Sequence, residues 1–236
     1  MAARSLAWAT RAAKRGLLDS TGHYSVLHSF TRRAGGGRPA AGVIGDSAGN
    51  LYGTAFDGKY QNGIVYRPGS DGYQVLYSFT NGADGGLPSS GVIRDSAGNL
   101  YGTTQFGGAG GQGVVYKLGP VGDYTVLYSF TGGADGGQPF GGVIQDSAGN
   151  LYGTASNGGV GGQNACQLDF IGCGVVYKID TAGHYQVLYR FTGTADGGAP
   201  YIRPTLDPAG NLFGATFAGG SHRDGVVYHL QGISAP

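Results

Sequence analysis

His222, Arg223 and Asp224 put an imidazole, a guanidinium and a carboxylate side by side in one glycine-flanked loop, and the trio occurs once in the chain. A histidine with an ordinary pKa near neutrality can take or give a proton, and a carboxylate can orient its ring. With Asp57 these residues are the candidates for acid–base chemistry on a polysaccharide or an ester. His222 and Asp224 are only two apart, however, and a solvated loop tip is the commoner fate of such a cluster. All fourteen acidic residues are Asp, so a paired-carboxylate mechanism would have to use Asp alone. Asp84, Asp135 and Asp196 recur in an Ala-Asp-Gly-Gly-x-Pro loop. Three equivalent carboxylates could hold a calcium ion or sugar hydroxyls, or simply staple a glycine-rich turn. The first copy of that loop, Arg32–Pro39, breaks the pattern, with Gly36 aligned to the Asp position. A fourfold metal site is therefore not expected and no cofactor is required; a mixed pocket of three carboxylates facing an arginine-rich sector stays open.

Cys166 and Cys173 fall within one inserted loop. They are expected to form a disulfide in an oxidising compartment, with reduced thiols or a metal pair as the alternative. Phe170 would then sit on a stapled finger. Gly45-Asp46-Ser47-Ala48-Gly49 matches the nucleophile elbow G-x-S-x-G. The same Asp-Ser-Ala-Gly returns at 95–98 and 146–149, which marks a hairpin turn rather than a nucleophile.

The elements that must carry these residues are read from the repeat. A D-x-A-G-N turn ends at Asn50, Asn99, Asn150 and Asn211, each followed by an aromatic segment, NLYGT or NLFGA. About a dozen residues later comes G-(I/V)-V-Y, and then Y-x-V-L-(Y/H)-x-F at 24–30, 73–79, 124–130 and 185–191. Alternating aromatic and apolar residues predict short strands, and a period near 50 with four strands per unit points to propeller blades. The phase matters: the chain opens on a last-strand motif at Tyr24 and closes on a third-strand motif at 225–230. Pairing 24–30 with 225–230 would complete a fourth blade and close the ring, removing exposed edges. The expectation is an all-β, four-bladed propeller over 22–232, preceded by a basic tail (1–21) and followed by 233–236.

These motifs, above all VLYSFTGGADGGQPFGGVIQDSAGNLYGT (126–154) and GVVYKI (174–179), resemble the GloVer tandem repeats of bacterial surface proteins, and the strand order is loosely similar to NHL-type propellers. The resemblance implies a repeat scaffold often joined to cell-surface anchors, and it supplies no catalytic residues.

Residues that recur in every unit are expected to build the blade; those that break the pattern in the loops are better site candidates. Arg38, Lys59, Tyr60, Phe140, Phe170, Tyr201 and Arg223 join the three loop Asp residues on that basis. The formal charge of +1, despite seven Arg/Lys in residues 1–40, makes no case for nucleic acid. No stretch is long and apolar enough to span a membrane. Arg4, Arg11, Lys14 and Arg15 interrupt any signal-like apolar run, so an exported chain is expected to have lost its signal or to begin inside a longer gene. Aromatic and Asp-bearing loops favour an extracellular or periplasmic carbohydrate-binding module, most simply a monomer. A hydrolase or lyase, or a purely structural surface repeat, are the alternatives.

Overall fold

A computed structural model of the chain describes residues 22, 24, 26–31, 33–69, 72–159 and 172–233. Four antiparallel sheets follow one another along the chain. The first comprises β1 (Gly37–Pro39), β2 (Ile44–Gly45), β3 (Leu51–Asp57), β4 (Ile64–Gly69) and β5 (Gly72–Ser78). The second holds β6 (Ile93–Arg94), β7 (Leu100–Thr104), β8 (Val114–Leu118) and β9 (Tyr124–Ser129). The third holds β10 (Val143–Gln145), β11 (Leu151–Ala155), β12 (Val175–Ile179) and β13 (Tyr185–Arg190), and the last β14 (Thr205–Leu206), β15 (Leu212–Ala215) and β16 (Val227–Leu230). One 3-10 turn, Arg33–Gly35, is the sole helical element among the described residues.

The D-x-A-G-N motif makes the tight connection into β3, β7, β11 and β15. In each turn the Asp backbone N–H donates to the Asn carbonyl, and the Asp carboxylate accepts from the Asn backbone and side chain. The glycine takes φ between +80° and +93°, a region that costs other residues energy. Ser47 is thus a turn residue.

Adjacent sheets lock together through repeated contacts. Phe79, Phe130 and Phe191 are fully buried. Phe130 meets Tyr177 and Tyr185 of the third sheet edge-on at 5.3 and 5.9 Å, as Phe79 meets Tyr116 and Tyr124 of the second at 5.2 and 6.1 Å. Tyr77 stacks on Tyr124 and Tyr128 on Tyr185, at 4.1 and 3.7 Å. The Tyr124 and Tyr185 hydroxyls donate to the Asp84 and Asp135 carbonyls. On the inner side, Thr54, Thr103 and Thr154 donate to the carbonyls of Ser90, Pro139 and Ile202 in the next sheet. Gly63, Gly113 and Gly174 lie so close to Pro88, Pro139 and Pro200 of the next sheet that a Cβ would collide with the proline ring.

The expected zip of 24–30 onto 225–230 is not formed. Residues 26–31 adopt no strand, β16 pairs only with β15, and Val227 is 85% and Tyr24 75% exposed. The end of the segment does reach the first sheet: His28 stacks on Tyr73 at 3.6 Å, and Phe30 meets Tyr66 at 5.0 Å, as Phe79 meets Tyr116. The physical reason is chain entropy: the two segments come from opposite ends of the chain, without the short hairpin that holds β9 or β13 to its neighbour.

Candidate functional site

Strand direction sorts the connections onto two faces. D-x-A-G-N turns and the turns into β5, β9 and β13 lie on one; the Ala-Asp-Gly-Gly-x-Pro loops and the variable loops after β3, β7, β11 and β15 lie on the other. The two kinds of loop on the second face are joined by short bridges, Gly86 with Phe106, Gly137 with Asn157 and Gly198 with Ala218. On this loop face Arg38, Leu87, Gln138 and Ala199, each just before a proline, hold φ of +51° to +54°. A residue before proline ordinarily sits in the extended region, so the strain is real, and its fourfold recurrence marks it as scaffold.

The recurring carboxylates are heavily engaged by their own turns. Asp84 accepts from the Thr80 backbone N–H and hydroxyl and from the Tyr77 hydroxyl; Thr131 with Tyr128, and Thr192 with Tyr189, serve Asp135 and Asp196 in the same way. Burial pushes the Asp196 carboxyl upward, yet the hydrogen bonds from Thr192 and Tyr189 hold it below the usual carboxylate range. Among the described residues no group of three or more His, Cys, Asp or Glu side chains converges as metal ligands would. The alignment of the first loop is corrected by one position: Tyr73 donates to the Gly35 carbonyl as Tyr124 does to that of Asp84, so Gly35, not Gly36, replaces the Asp.

The pattern-breaking residues fall into three groups. Arg38 grips Asp57 through its Nε and one terminal nitrogen, with the guanidinium 6.0 Å from the centre of the Phe56 ring. The hydrogen bond and charge of Asp57 raise the Arg38 pKa further. Lys59 lies over the exposed Tyr60 ring at 5.0 Å. Phe140 meets Tyr201 edge-on at 5.0 Å, and Tyr201 meets Phe217 at 5.6 Å, giving an aromatic run from the third sheet to the fourth. Phe217 is 63% exposed and is not among the sequence candidates; it shares its place in the repeat with Phe56, while Gln105 and Ser156 stand there in the other two units.

His222 bonds Ser221 at 3.0 Å, and no hydrogen bond or ion pair joins it to Asp224, although both are exposed on the same loop. Arg223 takes a left-handed φ of +67° at the loop tip. Cys173 is buried at the inner end of the inserted loop, and no free cysteine occurs among the described residues. Cys166 and Phe170, like the basic tail 1–21, lie outside the described residues.

Between the sheets the inner segments converge. Gly42, Gly91 and Gly142 are equivalent, and Arg203 takes their place in the fourth unit. Its guanidinium reaches across from the last sheet to donate to the Gly91 carbonyl at 2.6 Å, and burial lowers its pKa. A Cβ on Gly91 would stand 2.9 Å from the Gly42 carbonyl oxygen, and one on Gly142 2.5 Å from the Ser90 hydroxyl, so the centre is filled by backbone and one arginine.

Fold and loop face together define an all-β repeat protein of four antiparallel sheets whose variable chemistry is gathered at one end. The chain belongs to the Gloeobacter/Verrucomicrobia repeat family, whose model matches residues 16–168. No curated protein matches it. Among solved structures it is similar to the gluconolactonase XC5397 of Xanthomonas campestris, at 17% identity and a TM-score of 0.48, covering 83% of this chain and 59% of that one. A luciferin-regenerating enzyme gives 17%, 0.49, 81% and 61%. The extracellular domain of BT4673 from B. thetaiotaomicron gives 12%, 0.49, 90% and 25%. The chain thus spans less than two-thirds of the length of each of these proteins, and likenesses this distant carry no argument about its activity.

Proposed function

We propose that the chain is an extracellular or periplasmic binding module, a four-bladed β-propeller closed around Gly42, Gly91, Gly142 and Arg203, which engages carbohydrate at its loop face. The aromatic run Phe140–Tyr201–Phe217 carries the reading. An exposed ring flanked by others held edge-on offers a preorganised surface for the C–H face of a sugar, and the rim groups Lys59, Tyr60, Arg38 and Asp57 supply donors and acceptors for hydroxyls. Arg203, which spans from the fourth sheet to the second, and His28 and Phe30, seated on the first, support closure. A disulfide between Cys166 and Cys173, two cysteines within one loop, would suit an oxidising location. A hydrolytic reading would rest on His222, whose ring has no carboxylate partner among the described residues.

A glycan array followed by calorimetric titration tests the proposal. Phe217→Ala is expected to weaken binding about three- to tenfold, the range of one aromatic stacking contact. An array without a hit, or a variant that binds as well as the parent, refutes it.

A further inference from the structure

On the face opposite the loops, each pair of neighbouring sheets leaves one cleft, and the repeat makes the three clefts chemically alike. Tyr52 and Leu76 face Leu100 and Leu118 in the first, Tyr101 and Leu127 face Leu151 and Ile179 in the second, and Tyr152 and Leu188 face Leu212 and Leu230 in the third. Their coverings differ. In the first, Arg94 from the second sheet extends its guanidinium over the Tyr52 ring at 5.8 Å. In the third, the chain itself runs on past β16: Gly232 donates to Asn211, Ile233 packs against the cluster, and the Ile233 carbonyl lies 3.4 Å from the Tyr152 hydroxyl. Tyr152 is fully buried as a result.

The middle cleft has neither covering. Gln145 stands where Arg94 does; it donates to the Gly149 carbonyl at 3.1 Å and bonds the Tyr101 hydroxyl, but it is shorter than the arginine and lays no guanidinium over the ring. A space of about 450 Å³ remains, lined by Tyr101, Lys117, Leu127, Gln145, Leu151 and Ile179. Asp95 and Asp146 at its rim already accept from the Asn and Tyr side chains of their own units. Lys117 makes no ion pair among the described residues, whereas its counterpart Lys178 lies over the Tyr152 ring at 5.5 Å.

We propose that this middle cleft is a peptide-binding site for an uncharged segment bearing one aliphatic side chain next to a glycine bend. The occupant is argued from the third cleft, where this chain's own Gly232-Ile233 supplies such a segment against the same constellation. The aliphatic side chain would cover Tyr101, Leu127 and Ile179, and Lys117 would donate to a backbone carbonyl. The site lies on the face opposite the proposed sugar surface and stands or falls independently of it.

The probe is a capped heptapeptide, Leu-Gln-Gly-Ile-Ser-Ala-Pro, copied from residues 230–236 and titrated into the full chain with methyl NMR as readout. Saturable shifts at Leu127, Leu151 and Ile179 are expected, with a Kd on the order of 1 mM, as suits one small apolar anchor. The shifts should vanish when Gly replaces Ile in the peptide, and in Gln145→Arg, which installs the covering of the first cleft. Conversely, Arg94→Gln should open the first cleft and add shifts at Leu76, Leu100 and Leu118. Absence of saturable binding, or binding indifferent to the isoleucine and to Gln145→Arg, overturns the proposal. If Gln145→Arg does not fold, Arg94→Gln without new shifts overturns it as well.

Discussion

Phe130→Ala removes a fully buried ring from between Tyr128 of its own sheet and Tyr177 and Tyr185 of the next, which approach its centre to 5.2–5.9 Å. Truncating such a ring costs about 3–5 kcal/mol, the transfer loss plus the cavity left between two sheets that cannot collapse independently. For a chain of this length about 1 kcal/mol moves the midpoint by about 2–4 °C, so a fall of about 6–20 °C is expected. Phe30→Ala is the paired measurement. Phe30 has the corresponding neighbours His28, Tyr66 and Tyr73 at 4.9–5.9 Å but is only partly buried, since no strand covers it from the β16 side. Its loss should cost about half as much, because the transfer part scales with the area removed from water. Differential scanning calorimetry of both variants decides the matter. A fall below about 3 °C for Phe130→Ala, or equal falls for the two, would refute the claim that sheet-to-sheet stacking of these rings holds the array together.

Removal of residues 1–30 should lower the melting temperature by about as much as Phe30→Ala or more if the segment closes the ring, and an unchanged melt would remove that segment from the fold. Gly102→Ala places a Cβ 2.5 Å from the hydroxyl oxygen of the fully buried Tyr116; overpacking by about 1–3 kcal/mol is expected, read by urea denaturation, with partial recovery on adding Tyr116→Phe. Burial acts upward on Asp46, Asp95 and Asp146, but hydrogen bonds from Asn50, Asn99 and Asn150 and from Tyr52, Tyr101 and Tyr152 hold all three below the usual carboxylate range. Their folded pKa values lie below the unfolded ones, so their stabilisation is complete above about pH 4 and is lost as pH falls through the depressed values. Asp146→Asn should flatten that acid limb of the stability–pH curve; an unchanged limb would place its origin elsewhere.

Much of the scaffold was legible because repetition does the work of comparison within a single chain. The Asp-x-Ala-Gly-Asn turn could be assigned from its glycine and its four occurrences, and the structure gives it the same hydrogen bonds each time. The aromatic alternation in Tyr124–Phe130 announces a strand but not its faces: a register shift at Leu127 leaves Tyr124 and Val126 against the preceding sheet and turns Tyr128 and Phe130 to the following one. What repetition hid was equally physical. Phe217 does not stand out because its own loop says nothing of its neighbours: it extends an aromatic run that exists only where Phe140 and Tyr201 stand. Gly35 rather than Gly36 is the counterpart of the loop Asp, since each Asp stands four residues before its proline, and the Tyr73 hydroxyl bears this out at the Gly35 carbonyl. The phase of the repeat predicts the pairing of Tyr24–Phe30 with β16 but does not weigh that the two segments come from opposite ends of the chain with no hairpin to bring them together.

The departures from the repeat are concentrated in the fourth unit, and their placement argues for where a ligand would be met. Arg203 replaces an axial glycine and fills the centre with a guanidinium tied to Gly91, so the inner segments offer little room for a ligand along the axis. A filled centre leaves the rim of the loop face, where Phe140, Tyr201 and Phe217 run from the third sheet to the fourth and where Arg38 and Asp57 sit on the first. An arginine desolvated in that position is costly unless its hydrogen bonds are met. Replacing it by glycine, as in the other three units, should therefore spare the loop-face chemistry while loosening the contact between the fourth and second sheets.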